Sequence, residues 1–270
     1  MRVHVLQMIA RFIPIAAVLL LAACGAPTTT VQAPPSEYEA VQDGEFFIQA
    51  VDAELLKEGH ARREVDYTGP EGPGTIVVDT FARKLYLVGE GGRAMRYAIG
   101  VGREGLEFSG GGVIGRKAEW PSWQPTRNMI RTAPELYAEY AGGVAGGLEN
   151  PLGARALYLY RNGRDTYFRI HGTLDNRSIG RASSAGCIRL FNQDAIDLYN
   201  RVPTGSAVRV RSYEESLAAE GAYIDDANGN AVPETPAAIT AREKTLALRA
   251  KKEAAEAAEA AKAAKAAAQS

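Results

Sequence analysis

The sequence predicts a mainly β domain, arranged as a β-sandwich with one or two short helices and followed by a helical or disordered tail. Short runs of β-branched or alternating apolar residues, separated by glycine-rich turns, fill residues 75–210. Within that region, 192–202 has helical spacing. After residue 235 the chain consists almost entirely of alanine, glutamate, lysine and arginine, which favour helix. Many short strands with one short helix are typical of a sandwich or a barrel-like domain.

The strands follow from apolar patterning between breaker residues. Residues 75–79 form a β-branched run, and residues 84–88 alternate between apolar and polar. Asn162-Gly163 is a dipeptide that two-residue hairpins prefer, so it predicts a turn between two paired strands. The predicted strands cover 75–79, 84–88, 94–101, 113–116, 155–160, 167–171 and 207–210.

Two helices have recognisable starts. Asn192 is a possible N-cap for the helix over 192–202. In the tail, Thr235 fits an N-cap and Pro236 fits the first helical position. No large apolar side chain follows Leu248, so a solvated helix or a fraying tail is favoured over a coiled coil.

Composition excludes several classes of function. The 270 residues include 31 lysines and arginines and 32 acidic residues, and a net charge of −1 gives no case for nucleic-acid binding. The three histidines form no metal-ligand pattern. The glycine run 110–112 lacks the Gly-Lys-Ser/Thr of a phosphate loop. We therefore expect no metal and no cofactor. Arginines within 161–189 favour an anionic substrate.

The N-terminus resembles a bacterial lipoprotein leader. Arg2 and Arg11 precede an apolar run over 12–23 that is too short to be read as a membrane span. Residues 21–24, Leu-Ala-Ala-Cys, resemble a lipobox, in which cleavage leaves Cys24 as the acylated first residue. An ordinary signal peptide cut close by is the alternative.

A lipobox implies a location as well as an anchor. The protein is then expected in the bacterial periplasm, held to a membrane through lipid on Cys24. Gly25 follows this cysteine instead of an aspartate, which favours the outer membrane over the inner one.

Cys187 is the other of the two cysteines, and lipidation of Cys24 leaves it without a disulfide partner. A buried structural cysteine is one interpretation. The neighbouring Gly186 and a histidine upstream, His171, favour a reactive thiol.

A thiol nucleophile needs a base, a group that orients the base, and donors for an oxyanion. His171 is the candidate base, and the backbone carbonyl of Gly172 is the candidate orienting group. Gly186 permits a tight bend, so its N–H and that of Cys187 are the candidate oxyanion-hole donors. This set predicts acyl transfer through a cysteine thioester.

His-Gly-Thr at 171–173 and Ser-Ala-Gly-Cys-Ile-Arg at 184–189 resemble the signature of the L,D-transpeptidase catalytic domain, also called the YkuD domain. The similarity covers about 74–211. Many relatives have His or Ser where this chain has Ala185, which leaves substrate preference open. Weaker supporting segments are 100–103, 120–125 and 150–153.

The resemblance implies Cys187 as nucleophile and His171 as base. It also implies that Arg189 holds the loop or a substrate carboxylate, and Ser184 matches the serine of the motif. Trp123 is expected as a core or rim aromatic residue, or as a substrate-binding one.

The implied partner is peptidoglycan. In the family reaction the thiolate attacks the L-centre carbonyl of diaminopimelate in a tetrapeptide stem, and D-Ala leaves. An amine of a second stem then forms a 3-3 crosslink, or a lysine of a wall-attached lipoprotein replaces it. Water would instead give an L,D-carboxypeptidase, endopeptidase or amidase. A non-catalytic tether between membrane and wall is a third reading, which the Cys–His pair disfavours.

These observations divide the chain into four parts. They are a signal peptide (1–23), a lipid anchor, tether and N-terminal extension (24–73), the catalytic domain (74–211), and an acidic linker with a helical tail (212–270).

Overall fold

The computed structural model describes residues 35–102, 108–183 and 188–267. These residues belong to one compact unit that spans Ala33–Ser270. The predicted signal peptide and Cys24 lie outside the described residues, and so do the motif residues Ser184, Gly186 and Cys187.

Strands dominate the described part of the chain. The strands are β1 (Val41–Asp43), β2 (Phe46–Ile48), β3 (Arg63–Asp66), β4 (Ile76–Asp79), β5 (Lys84–Val88), β6 (Arg93–Ala98), β7 (Gly100–Gly102), β8 (Gly110–Glu119), β9 (Arg155–Arg161), β10 (Arg164–His171), β11 (Ala182–Ser183), β12 (Ile188–Arg189), β13 (Ala207–Val210), β14 (Tyr223–Asp225) and β15 (Ala231–Pro233). The helices are α1 (Arg127–Thr132), α2 (Pro134–Tyr137), α3 (Asn192–Arg201), α4 (Tyr213–Glu220) and α5 (Pro236–Ala267). Short 3₁₀ turns cover Ser36–Tyr38, Ala53–Gly59, Ala138–Tyr140 and Asn176–Ser178.

One mixed sheet of eleven strands forms the body of the domain, in the order β11-β7-β12-β10-β9-β8-β13-β4-β5-β6-β3. Strand β7 lies next to one end of this order and β6 lies next to the other. Only Ile99 separates the two strands along the chain. The sheet must therefore curl until its two ends meet. The predicted fold class, mainly β with few helices and a C-terminal helix, is confirmed.

The inside of the curled sheet is the hydrophobic core. Ile76 and Leu85 come from one half of the sheet and Leu157 and Ile170 from the other, and all four belong to one buried cluster. Leu198 of α3 joins the same cluster. Complete burial of one such side chain stabilises the fold by about 1.5–3 kcal/mol, so this contact holds the two halves of the sheet together.

Each predicted strand coincides with a strand of the structure, but the predictions over 113–116 and 167–171 cover only parts of β8 and β10. The predictions do not include β1, β2, β3, β11, β12, β14 and β15. Residues 94–101 form two strands instead of one, because β6 pairs with β5 whereas β7 pairs with β12. At the break, the N–H of Ile99 donates to the carbonyl of Arg83 at 3.1 Å. The predicted hairpin turn is present, with positive φ at both Asn162 (52°) and Gly163 (74°).

The predicted N-cap of α3 is wrong. Phe191 occupies the N-cap position, and Asn192 is the first helical residue. The Asn192 side chain is used in a tertiary contact instead, where it accepts from the N–H of Ala154 at 2.9 Å and donates to the carbonyl of Thr173 at 2.8 Å. Local sequence could not reveal partners that lie 38 and 19 residues away.

Residues before the predicted catalytic domain are packed onto it. Tyr38 is 1% exposed, and its hydroxyl donates to Asp194 at 2.9 Å. Asp43 accepts two hydrogen bonds from the guanidinium of Arg155, at 2.6 and 2.9 Å. Strand β3 pairs with β6 at the edge of the main sheet. The N-terminal extension is therefore a folded part of the domain from Tyr38 onward.

The predicted acidic linker is also folded. Helix α4 begins with a capping box in which Ser212 and Glu215 bond to each other's backbone N–H. At its end, Glu220 accepts hydrogen bonds from Lys84 and Arg211 at 2.6 and 2.9 Å. Asp225 on β14 pairs with Arg83 at 3.1 Å. The acidic residues after Arg211 thus neutralise cations on the outer face of the sheet.

The tail helix α5 is mainly solvated. Thr235 accepts from the N–H of Ala238 at 3.1 Å, the contact of an N-cap. The exposed Arg249 bonds to Ala227 and Asn228. Among the described residues, no helix combines the length and the apolar character needed to cross a membrane.

Shortening the chain tests which C-terminal elements stabilise the domain. Ending it after Glu234 removes α5 and should leave the free energy of unfolding nearly unchanged. Ending it after Ser212 removes Glu220, which leaves the buried Arg211 with fewer partners. Loss of one partner of a buried ion pair costs about 3–5 kcal/mol. Urea denaturation of both shortened chains measures this, and equal stability would contradict the packing of α4.

Candidate active site

His171 lies at the end of β10, in the interior of the sheet. β10 pairs with β9 on one side and, in parallel, with β12 on the other. In this register Ile170 lies opposite Ile188 and His171 lies opposite Arg189. The strand that ends at the predicted base and the strand that follows the predicted nucleophile in sequence are therefore hydrogen-bonded neighbours.

The imidazole of His171 has a defined tautomer. Its side chain is buried, and Nδ1 lies 2.7 Å from the carbonyl oxygen of Gly172. A carbonyl oxygen only accepts hydrogen bonds, so Nδ1 carries the proton and Nε2 has the lone pair. The contact between this ring and the Gly172 carbonyl has the geometry that an orienting group needs.

Burial determines the charge of this ring. Burial and the positive charges of Arg189 and Arg169 lower the pKa of His171 from 6.5 to about 4, and the hydrogen bond to Gly172 only partly offsets them. His171 is consequently neutral at pH 7, with Nε2 able to accept a proton.

His171 and Arg189 share one cavity of about 310 Å³. Trp123 forms part of its wall, held by two backbone hydrogen bonds with Val144 at 2.9 and 2.7 Å. Its ring lies 6.3 Å from that of Tyr137, which also lines the cavity. Trp123 is thus a rim aromatic residue of the cavity that contains the predicted base, a position that serves either interpretation made from the sequence.

Asn150 stabilises the loop whose Val144 pairs with Trp123 of this aromatic wall. The residue is completely buried, and its amide donates to the carbonyls of Val144 and Ala145 at 3.1 and 2.9 Å. Its side-chain oxygen accepts from the N–H of Leu152 at 2.9 Å. The Asn-Pro pair predicts only a turn at this point, whereas the buried amide of Asn150 joins the backbone at Val144 and Ala145 to that at Leu152.

Asn192 supports the loop that follows His171. Its side chain joins Ala154 to Thr173 across the sheet. A Cβ atom at Gly172 would lie 2.1 Å from Asn192 Oδ1, and one at Gly153 would lie 2.2 Å from it. Glycine is therefore required at both positions. The sequence interpretation missed this role because the same asparagine also fits a helix cap.

Arg189 completes the described part of the site. It lies on β12 and is buried. A Cβ atom at Gly100 would lie 2.4 Å from the carbonyl oxygen of Ser178 and 3.1 Å from Nε and Nη2 of Arg189, so glycine at that position makes room for the Ser178 backbone as well as for the guanidinium. The predicted residues His171, Gly172, Trp123 and Arg189 are brought together here. The roles predicted for Ser184, Gly186 and Cys187 stay predictions, since these residues are outside the described part.

A metal site is not part of this arrangement as far as the structure describes the chain. Within residues 35–102, 108–183 and 188–267, no group of three or more His, Cys, Asp or Glu side chains is placed to hold a metal ion.

The sequence is similar to one family and to several curated relatives. The family described as the L,D-transpeptidase catalytic domain, YkuD, matches residues 73–210. A putative L,D-transpeptidase from Fuscovulum blasticum is 38% identical over 56% of this chain and 75% of its own length. The probable L,D-transpeptidase ErfK/SrfK of Escherichia coli is 35% identical over 50% of this chain. This chain spans only 43% of that second relative.

A solved structure is also similar. The structure described as a probable carnitine operon oxidoreductase from Brucella melitensis is 46% identical over 56% of this chain and 93% of its own. The TM-score is 0.41.

Replacement of Asn192 tests its support of the loop. Asn192→Ala removes two half-buried hydrogen bonds and leaves their backbone partners without the side chain, which should lower the free energy of unfolding by about 1–3 kcal/mol. Asn200→Ala, on the exposed side of the same helix, is the matched control and should change it by less than about 0.5 kcal/mol. Equal effects in chemical denaturation would exclude the proposed support.

Acid should destabilise the protein through His171. The pKa is about 6.5 in the unfolded chain and about 4 in the folded one, so the unfolded state binds the proton first as pH falls. The contribution of neutral His171 to the free energy of unfolding is fully present above pH 6.5, and about 3 kcal/mol of that free energy is lost by pH 4.

The difference between wild type and His171→Gln isolates this contribution. The subtraction is needed because burial raises the pKa of Asp194 to about 7. Protonation of Asp194 therefore increases the free energy of unfolding as pH falls over the same range, opposite to the effect of His171. A stability difference that stays constant between pH 7 and pH 4 would contradict the lowered pKa of His171.

Proposed function

This chain belongs to the L,D-transpeptidase catalytic-domain family, YkuD, and we propose that it acts on tetrapeptide stems of peptidoglycan through a thioester on Cys187. The products are 3-3 crosslinks or a protein attached to the wall. The main support is the parallel pairing of β10 and β12, which brings the end of the His171 strand beside the residue that follows Cys187.

The pairing of β10 and β12 relates the predicted base to the segment that contains the predicted nucleophile. Ile188 lies opposite Ile170, and consecutive Cα atoms are 3.80 Å apart. Cys187 directly precedes Ile188 in the sequence. The ring of His171 is buried, with its lone pair on Nε2. The register of β10 and β12 supports the proposal that His171 activates the Cys187 thiol, because an activated thiol needs a base within hydrogen-bond reach.

The proposed reaction begins with proton transfer from the Cys187 thiol to Nε2 of His171. The thiolate attacks the L-centre carbonyl of diaminopimelate, and the N–H groups of Gly186 and Cys187 receive the developing oxyanion. When the tetrahedral intermediate collapses, the imidazolium returns its proton to the leaving amine of D-Ala. A thioester then joins the stem to Cys187.

The second half of the reaction uses the same groups. Nε2 of His171 accepts a proton from the attacking amine of a second stem or of a lipoprotein lysine. Attack on the thioester forms the new amide and expels the Cys187 thiolate, which is protonated again by the imidazolium. A negative thiolate beside the ring favours imidazolium, which offsets the lowering of its pKa by burial.

The charges around the site support a substrate that carries carboxylates. Arg189 lines the cavity, and Arg169 is close enough to act on the charge of His171. Asp165 pairs with Arg169 at 2.7 Å. Arg189 lines the cavity beside His171, and the family resemblance implies that it holds the loop or a stem carboxylate.

Two parts of the proposal concern the whole protein. We propose that Cys24 is lipidated and that the domain acts in the periplasm from a membrane, with the outer membrane favoured. This rests on the leader sequence alone. A single acyl chain gives only marginal binding, so stable retention needs the several chains of a bacterial lipoprotein.

Purified tetrapeptide muropeptides test the reaction. Mass analysis should find a stem-peptide adduct on wild-type protein and a crosslinked dimer among the products. Cys187→Ser should form no thioester, and His171→Ala should react on the order of 10²–10⁴-fold more slowly because the general base is missing. Near-ultraviolet circular dichroism verifies that both variants are folded.

The products separate the alternatives. A tripeptide without a dimer would identify hydrolysis, the reaction of a carboxypeptidase on the same domain. An unchanged rate in Cys187→Ser would disprove the assignment of the nucleophile, and absence of any turnover in wild type would favour the tether.

Fractionation of cells tests the anchor. Wild-type protein should be recovered with membranes, and Cys24→Ala should be released or left unprocessed. Recovery of all wild-type protein in the soluble periplasmic fraction would refute lipidation.

A further inference from the structure

A second cavity, of about 340 Å³, lies on the outer face of the sheet. Strands β5 and β6, the end of the turn Ala53–Gly59 and the hairpin β14–β15 surround it. It shares no lining residue with the cavity that contains His171.

The lining of this second cavity is basic. Its charged lining residues are Arg63, Arg83, Lys84 and Arg96, and among the residues that the structure describes no aspartate or glutamate lines it. Clefts lined by one sign of charge concentrate ions of the opposite sign.

Strand register puts two of these cations face to face. Arg63 of β3 lies directly opposite Arg96 of β6. Lys84 lies opposite Ala98, two residues farther along β6, and therefore projects from the same face of the sheet. Like charges directly opposite each other destabilise an antiparallel pair. This strand pair therefore contains a repulsion that a bound anion would relieve.

Two of the four cations already have acidic partners. Lys84 pairs with Glu220 at 2.6 Å, and Arg83 pairs with Asp225 at 3.1 Å. Within the part of the chain that the structure describes, Arg63 and Arg96 have no carboxylate within ion-pair distance. These two arginines therefore have no ion-pair partner of their own, and among carboxylates only the more distant charge of Glu220 acts on Arg96.

The guanidinium of Arg96 has a fixed position in this cavity. Its Nη2 donates to the carbonyl of Gly59 at 2.6 Å, which fixes one edge of the guanidinium against the turn. Burial and the charge of Arg63 lower the pKa of Arg96. A fixed guanidinium in a positive field is suited to bidentate binding of an oxyanion.

We propose that this cavity binds a phosphate monoester or inorganic phosphate, between the guanidinium groups of Arg63 and Arg96. The charge supports a phosphate group, which carries about −1.5 to −2 at pH 7 and balances the two cations that have no acidic partner. A single carboxylate would balance only one of them. The phosphate is supplied either by a soluble molecule or by the headgroup of a lipid.

Isothermal titration calorimetry on the full chain at constant ionic strength tests the proposal, with inorganic phosphate and glycerol 3-phosphate as probes. Wild type should bind a phosphate saturably. Arg63→Gln and Arg96→Gln should each weaken binding about 10-fold or more, as expected for loss of hydrogen bonds to a charged group. Arg93→Gln is the matched control, because Arg93 is on β6 but pairs with Glu64 and Asp66.

A short-chain phosphatidic acid below its micelle concentration separates the two sources. If inorganic phosphate binds as tightly as phosphatidic acid does, the ligand is a soluble phosphate. If phosphatidic acid binds and the two soluble probes do not, the ligand is a lipid headgroup. The proposal is overturned if none of the three probes binds, or if Arg63→Gln binds as wild type does. Arg63 is exposed, so that variant separates lost binding from lost folding.

Discussion

The short parallel pairing between β10 and β12 is the contact on which the candidate site depends. It joins Ile170 to Ile188 and His171 to Arg189, and it connects two segments of the motif that are far apart along the chain. β12 is held in turn by β7 on its other side. β7 follows β6 after one residue, and the two strands lie near opposite ends of the strand order. The position of β12 beside β10 therefore depends on the closure of the sheet.

Buried and half-buried polar side chains fix the surroundings of that pairing. Asn192 holds the loop after His171, and Asn150 holds the aromatic wall of the cavity. Each side chain satisfies backbone groups in the interior, where an unsatisfied donor or acceptor costs about 1–3 kcal/mol. Asp194 does the same for the N-terminal extension through Tyr38 and Arg62. The hydrophobic core sets the overall shape, whereas these amides and carboxylates select the particular loop positions.

Cations occur in two separate regions of the sheet. Around His171, burial and the charges of Arg189 and Arg169 keep the imidazole neutral. On the outer face, most cations are neutralised by the segment after Arg211, through Glu220 and Asp225. Arg63 and Arg96 are the exceptions on which the proposed phosphate site rests. The C-terminal acidic residues therefore have a structural role that their charge alone does not reveal.

The sequence by itself determined most strands of the central region, the Asn162-Gly163 hairpin and the family motif, because each depends on residues that are close together along the chain. It did not predict the short strand β12, which forms only through its partners. It also identified His171 and Gly172, whose contact is between adjacent residues. Only the tertiary structure decided the pairing of β10 with β12, the tertiary use of Asn192, and the folding of the segments that looked like a tether and a linker. Those outcomes depend on partners up to 156 residues away, as for Tyr38 and Asp194. Local patterns indicate which residues are polar or apolar, but the partner that satisfies a buried group is set by the closed sheet.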